Sequence, residues 1–293
     1  MEISNTPLEN HRNWLELPRE ITLTILKKIA ISEILESAQF VCKLWYILCK
    51  EPSMWRSIRI CDVKKPSISF YKTKVLRCAA DRSNGGLIDL DIQGFYPPSV
   101  FSQVISRCTG LKRLRLAKCV YISVKALVEA LEKLSCLEEL ELTLCSFGNE
   151  EAVSVIKSCP SITTFRFNNR GSKSPFLEND EKALAIAANM PQLCHLQLIG
   201  NNMSNVGLTA ILDGCRRLQS LDLRACFLLD LAGDLGRRLS EQIKDLRRPY
   251  DSTEDYNYPT TANDHTTADL DFQYLYELDE DYICWLGTSF AEI

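Results

Sequence analysis

Leu111-Lys-Arg-Leu114-Arg-Leu116-Ala-Lys-Cys119 is followed 26 residues later by Leu137-Glu-Glu-Leu140-Glu-Leu142-Thr-Leu-Cys145. Both follow the template L-x-x-L-x-L-x-x-(C/N). It occurs upstream as Leu87, Leu90, Ile92 and downstream as Ile162, Phe165, Phe167, then Leu193, Leu196, Leu198, Asn201, then Leu218, Leu221, Leu223, Cys226. The steps between starts are 24, 26, 25, 31 and 25 residues. The long step holds Asn169-Arg-Gly-Ser-Lys-Ser-Pro175, which reads as a loop insertion. Alternating apolar residues predict a short strand in each copy. Helical stretches lie between them: Val124–Leu134 after Ser123, Glu181–Asn189 after Asp180, and a third from Val206 to Leu212 after Ser204-Asn205. Ser and Asp are good helix N-caps. A strand plus a helix cannot bury its apolar side alone, so the copies must stack. The expectation is an α/β solenoid of six strand–helix repeats with a parallel concave sheet.

The longer form C-x-x-L-x-x-L-x-L-x-x-C spans Cys108 to Cys119 and Cys215 to Cys226, and Cys159-Pro160 begins a third copy that ends in Arg170. This resembles the cysteine-containing leucine-rich repeat, which implies a right-handed, ribonuclease-inhibitor-like solenoid. The cysteines occupy fixed template positions and read as small buried fillers beside the strand.

Residues flanking the two strand leucines should face outward from the concave sheet, because successive strand side chains alternate. In order the pairs are Asp89/Asp91, Arg113/Arg115, Glu139/Glu141, Thr164/Arg166, His195/Gln197 and Ser220/Asp222. Charge sign alternates over the first four. Strands about 4.8 Å apart allow opposite charges to pair laterally. Two readings stay open: a self-neutralising ladder, or a mixed-charge surface for a protein. The candidate substrate-binding residues are Asp89, Asp91, Arg113, Arg115, Glu139, Glu141, Arg166, His195, Gln197 and Asp222. The face is no continuous basic strip of the kind that tracks phosphates, so nucleic acid is not an expected partner.

Upstream lies Trp14–Trp55, with 24 apolar residues in 42. Ile21, Ile25 and Ile29 share a helical face. A second helix, near Ser37–Cys49, carries Ala38, Val41, Cys42, Trp45 and Cys49 on one side and Phe40, Leu44, Ile47 and Leu48 on the other. A helix apolar on both sides must be covered on both sides, and some forty residues cannot do this alone. Either the segment is core of a larger domain or one face awaits a partner. The ordered set Leu17-Pro18, Ile25-Leu26, Ile29, Ile34-Leu35, Val41-Cys42-Lys43, Trp45 and Trp55 resembles an F-box. The resemblance implies a three-helix hook that binds the Skp-type adaptor of cullin–RING (SCF) ubiquitin ligases. The residues it implies for that contact are Leu17, Pro18, Ile25, Leu26, Ile29, Leu35, Val41, Cys42 and Trp45.

The remaining features narrow the class. No apolar run reaches the length of a membrane span, and the N-terminus has no basic start or apolar core of a signal peptide. Thirteen scattered cysteines without a CxxC pair, and three histidines, give no metal set. Reduced thiols point to the nucleus or cytoplasm. Residues 249–293 hold eleven acidic residues and no Lys or Arg. Removing those eleven from the 38 acidic residues leaves 27 against 34 basic ones, a net of +7 upstream. The tail composition predicts disorder, as a solvating segment or a docking and regulatory one. Ser252 and Thr253, ahead of Glu254-Asp255, invite phosphorylation. His11, His195 and His265 lie in three separate regions, and Cys194 and His195 should point to opposite faces, so no Cys–His pair forms. Hydrolase, zinc-protease and phosphate-loop motifs are absent from the sequence, and no cofactor is implied.

The expected division is 1–13 disordered, 14–60 F-box, 61–86 connecting, 87–248 leucine-rich repeats with a C-terminal cap helix at Leu239–Leu246, and 249–293 acidic tail. Together with Asp230-x-x-Gly-Asp-Leu-Gly236-x-Arg238, the combination resembles plant F-box/leucine-rich-repeat proteins. That resemblance implies a non-catalytic substrate-recognition subunit of an SCF-type ligase, joined through the adaptor to a cullin–RING assembly and recruiting an unknown protein for ubiquitination. The rival expectation is a scaffold that binds partners without driving ubiquitination.

Overall fold

The computed structural model describes residues 17–60, 68–94, 98–119, 122–171, 173–258 and 260. The N-terminal stretch expected to be disordered, and the acidic tail beyond 260, lie outside the described residues.

Three short helices open the chain: α1 Arg19–Leu26, α2 Ile31–Glu36 and α3 Lys43–Leu48. Pro18 sits immediately before α1, where its missing N–H costs nothing. The single helix expected near Ser37–Cys49 is broken. A 3₁₀ turn covers Ala38–Phe40, and Cys42 adopts an extended conformation to cap α3, its Sγ accepting from the Trp45 amide at 3.5 Å. A second 3₁₀ turn, Pro52–Trp55, leads directly into β1 Ser57–Ile60.

The sheet then runs in sequence order. Its further strands are β2 Asp89–Gln93, β3 Arg113–Ala117, β4 Glu139–Thr143, β5 Thr164–Asn168, β6 His195–Gln197, β7 Ser220–Asp222 and β8 Asp245–Arg247, each parallel to the one before. The helices between them are α4 Ile68–Ser83, α5 Pro98–Ile105, α6 Val124–Leu131, α7 Asn149–Lys157, α8 Glu181–Asn189, α9 Asn205–Gly214 and α10 Asp234–Gln242. Register stacks the template leucines into one apolar row: Ile58, Leu90, Leu114, Leu140, Phe165, Leu196, Leu221 and Leu246. All but Leu246 are essentially inaccessible, and Leu246 is half-buried at the open end.

The six expected strands are β2 to β7, and the sheet carries one more at each end. The boundary set at residue 87 is therefore too late: β1 pairs with β2 through Ile58 and Ile60, and α4 is the first helix of the solenoid. The expected cap helix is also displaced. α10 ends at Gln242, and Leu246 lies on β8. A strand there satisfies the open edge of β7 through the Leu221–Leu246 register, which a helix would leave bare.

After most strands the chain turns through a left-handed residue: Gly94, Lys118, Leu144, Gly200 and Ala225. Each donates its amide to the next repeat, as Lys118 does to the Thr143 carbonyl at 2.8 Å and Leu144 to the Asn168 carbonyl at 2.9 Å. At Gly200 a Cβ would lie 2.2 Å from the Asn169 carbonyl oxygen, so this copy requires glycine. The template Cys or Asn follows and donates backward. Cys119 Sγ reaches the Ile92 carbonyl at 3.5 Å, Cys145 Sγ the Leu116 carbonyl at 3.5 Å, Cys226 Sγ the Leu198 carbonyl at 2.9 Å, and Asn201 Nδ2 the Phe167 carbonyl at 2.7 Å. Cys119, Cys145 and Cys226 and Asn201 serve alike at this position because both residue types are compact donors.

Hook and solenoid share one continuous apolar core. Trp55, 1% exposed, is the junction. Its indole N–H donates to the Cys49 carbonyl at 2.9 Å, and the Arg82 guanidinium of α4 stacks over its ring at 5.2 Å. Arg82 also donates to the Cys49 carbonyl at 3.3 Å and to Gln39 at 3.0 Å.

Candidate functional site

Two surfaces carry the residues singled out above. The first is the outer side of the hook. Phe40 is 69% exposed and Val41 60%, and Ile21 on α1 and Tyr46 and Ile47 on α3 are exposed as well. Large apolar groups left in water cost free energy that burial in a partner would recover, at roughly 25 cal/mol per Å². Of the residues expected at the adaptor contact, Val41 and Pro18 are exposed, and Leu17, Ile25, Ile29, Leu35, Cys42 and Trp45 are half-buried. Leu26 is a correction. It is wholly buried in the common core, so its place is structural. Phe40, Tyr46 and Ile47 were not among the residues singled out for this contact. The sequence signal was the second apolar face of the helix, and the break at Cys42 turns part of it outward.

The second surface is the concave sheet. Its charges are paired side to side. Arg59 meets Asp91 at 3.1 Å, and Arg113 meets Asp89 at 3.1 Å. Arg115 bridges Asp89 and Glu139, each at 3.1 Å, and Arg166 contacts Glu139 and, at 3.4 Å, Glu141. Burial works to raise the Glu139 carboxyl pKa, but Arg166 and Arg115 overcome it and hold the group below its ordinary value. At Asp91 burial prevails over Arg59 and Arg115, and the pKa is raised. The ladder continues in neutral form, Asn168 to Gln197 at 2.9 Å and Gln197 to Asp222 at 3.0 Å. Asp222 lies on this face in register with Gln197, is tied to Arg224 at 2.7 Å, and is buried there. His195 is exposed, with Cys194 partly buried beside it.

The expectation that disorder begins at 249 is corrected for the first residues of the tail. Residues 249–258 cross the concave face as a strap. Ala225 donates its amide to the Pro249 carbonyl at 2.8 Å, and the Tyr250 and Phe227 rings lie 5.5 Å apart. Arg224, 4% exposed, donates to the Ser252 carbonyl at 2.9 Å and ion-pairs with Asp255, which Arg247 approaches at 3.7 Å. Its hydrogen bond to Asp222 is the main reason the Arg224 guanidinium is held even more firmly protonated than usual, and Arg224 in turn lowers the Asp255 pKa. Tyr256 lies among Thr143, Glu141 and Asp222, and burial raises its pKa. Tyr258 accepts from Gln93 at 2.8 Å on the second strand, and the Gly171 amide donates to the Thr260 carbonyl at 2.8 Å. The composition of residues 249–293 averages this anchored stretch with a longer one, so its signal was diluted.

Comparison with known proteins agrees with this architecture. An F-box-like family model matches residues 14–61. The F-box protein SKIP19 of Arabidopsis thaliana is 43% identical over 262 residues, covering 88% of this chain and 85% of the relative. Putative F-box/LRR-repeat protein 22 of the same plant is 40% identical over 263 residues, covering 89% and 85%. Putative F-box/LRR-repeat protein 23 is 42% identical over 259 residues, and the match covers 85% of this chain but 58% of that longer relative. An apolar hook fused to a leucine-rich solenoid is the F-box/leucine-rich-repeat architecture. The chain belongs to the plant F-box/leucine-rich-repeat family.

Proposed function

We propose that this F-box protein is the substrate-recognition subunit of an SCF-type ubiquitin ligase, working in the nucleus or cytoplasm. The observation that carries this reading is the unequal burial of the hook. Its inner side is joined through Trp55 to the solenoid core, while Phe40, Val41 and Ile47 stand in solvent on the outside. A Skp-type adaptor supplies the missing apolar cover. The solenoid, held rigidly on the other side, then presents a bound protein at a fixed distance from the activated ubiquitin. The chain contributes proximity rather than bond chemistry.

The test is co-expression with a Skp-type adaptor followed by size-exclusion chromatography. The chain is expected to elute with the adaptor in a one-to-one complex. Val41→Asp with Ile47→Asp should abolish co-elution and leave the helical and strand signals of the free chain unchanged, because both side chains are exposed. Co-elution that survives the double variant refutes the hook as the contact. Ubiquitination of a bound partner by the assembled ligase then separates this function from that of a passive scaffold.

A further inference from the structure

We propose that the concave face recruits an extended segment bearing a carboxylate followed at once by a tyrosine, and that residues 249–258 are its resident occupant, which an incoming segment must displace. This rests on the reading of the concave face as the recruiting surface and names the chemistry of the partner.

The strap belongs to no strand, yet it lies across the face from the seventh repeat strand back toward the second. Its anchor is Arg224. This side chain is almost wholly buried, and its donors are divided between Asp222 of its own repeat and Asp255 with the Ser252 carbonyl of the strap. Removing the strap takes both partners from one terminal nitrogen of this cation and opens that nitrogen to solvent, where an incoming carboxylate can take their place in a charge-assisted hydrogen bond. Arg247 adds a second positive charge at the same point. Next to it, Tyr256 fills the slot bounded by Thr143, Glu141 and Asp222, and Tyr258 packs on it edge-on at 5.4 Å. A cleft of about 260 Å³ continues from Asp255 along Arg166, His195 and Arg247 and gives an entering chain a place to start.

The rest of the face makes little demand. From Arg59 to Arg166 the charges are satisfied by their neighbours in the sheet. Selectivity therefore concentrates where the strap sits, on an acidic side chain for Arg224 and an aromatic one for the adjoining slot. The covalent link gives the strap a high effective concentration, so a free segment of equal quality competes poorly until the strap is weakened.

The experiment uses the full-length chain and a fluorescent peptide of residues 249–260, read by anisotropy. Wild type should bind the peptide weakly, because its own strap holds the site. Tyr256→Asp places a negative charge beside Glu141 and Asp222 and should eject the strap, tightening peptide binding at least tenfold. Tyr258→Ala, a milder loosening, should act in the same direction. Tyr256→Phe retains the ring, and the Tyr256 hydroxyl makes no hydrogen bond to a described residue, so this variant should match wild type. A peptide carrying Asp255→Lys should fail against every chain. The proposal is overturned if both strap variants, folded by circular dichroism, bind no more tightly than wild type, or if the Asp255→Lys peptide binds as well as the native one. Adaptor co-elution measured on the same samples separates the two ideas. Adaptor binding without peptide gain sinks the strap alone, and peptide gain without ubiquitination of a bound partner sinks the ligase reading alone.

Discussion

Cys145 shows how much of this fold rests on one small side chain per repeat. Its thiol fills the space beside the strand and donates to the Leu116 carbonyl, so it serves as both packing and hydrogen bond. Burial pushes its pKa up to about 12, as it does for Cys159 and Cys226. The folded value exceeds the ordinary thiol value of 9.0, so folding favours the protonated form. That contribution is whole below about pH 9 and is lost as pH climbs from 9 toward 12. Each such thiol should cost about 1.4 kcal/mol per pH unit in that window. Replacing Cys145 with Ala is expected to lower stability by roughly 1–3 kcal/mol at pH 7.5, through the cavity and the lost thiol hydrogen bond. Urea midpoints taken from pH 7.5 to 10.5 check both statements: the variant should start lower and fall less steeply. Parallel curves would show that Cys145 does not titrate in this window.

At the scale of the element, the sheet's outer side is a set of lateral ion pairs. Arg115 stands at its centre, between Asp89 on one strand and Glu139 and Glu141 on the other. Isolated surface pairs are worth little, but these groups are half-buried and share partners, which raises the cost of losing one. Arg115→Gln is expected to destabilise the chain by about 2 kcal/mol. Added salt should narrow the gap, since it screens the carboxylates left facing one another. The Glu139 carboxyl, now held low, should titrate at higher pH in the variant. Because a depressed carboxylate stabilises the fold above its ordinary value of 4.5 and loses that as pH falls, acid unfolding should begin at higher pH in Arg115→Gln. Acid titration followed by circular dichroism would refute this if the two chains unfolded together. The same pairing makes Arg115 a poor choice for probing recruitment, since its reversal would disturb the sheet. The strap variants are the cleaner probe.

For the whole molecule, the decisive contact is Trp55. It packs in the core that hook and solenoid share, and its indole and Arg82 both bond the Cys49 carbonyl. The hook is thus the N-terminal cap of the solenoid as well as a binding module, covering an end that repeat proteins must protect. Trp55→Ala should cost about 3–5 kcal/mol and unfold both parts in one transition. Two separated thermal transitions, with the solenoid unaffected, would mean that the hook is an independent domain. The shared core also bears on the proposed ligase, because a flexible joint would let the recruited protein wander from the ubiquitin donor.

Period and composition alone determined the strand–helix repeat, the apolar rows and the alternating charges, because each depends on side-chain spacing along a short segment. The helix from 181 to 189 and the Ser123 cap were legible for the same reason. The last strand was not. Trp55–Ile60 alternates apolar and polar residues like a short strand, and its pairing with β2 bears that reading out, whereas Asp245–Arg247 is too short and too unlike the template to stand out, and only a neighbouring strand with free amides and carbonyls makes it a strand. Asp180 followed the same logic: it leaves its own helix uncapped and instead accepts from the Ser204 amide and hydroxyl one repeat away. The exposure of Phe40 and Ile47, the burial of Leu26 and the course of the strap were likewise decided in three dimensions. A local pattern names which residues are apolar or charged, but which of them meet is settled by chain segments tens of residues apart, such as Asp255 finding the buried Arg224.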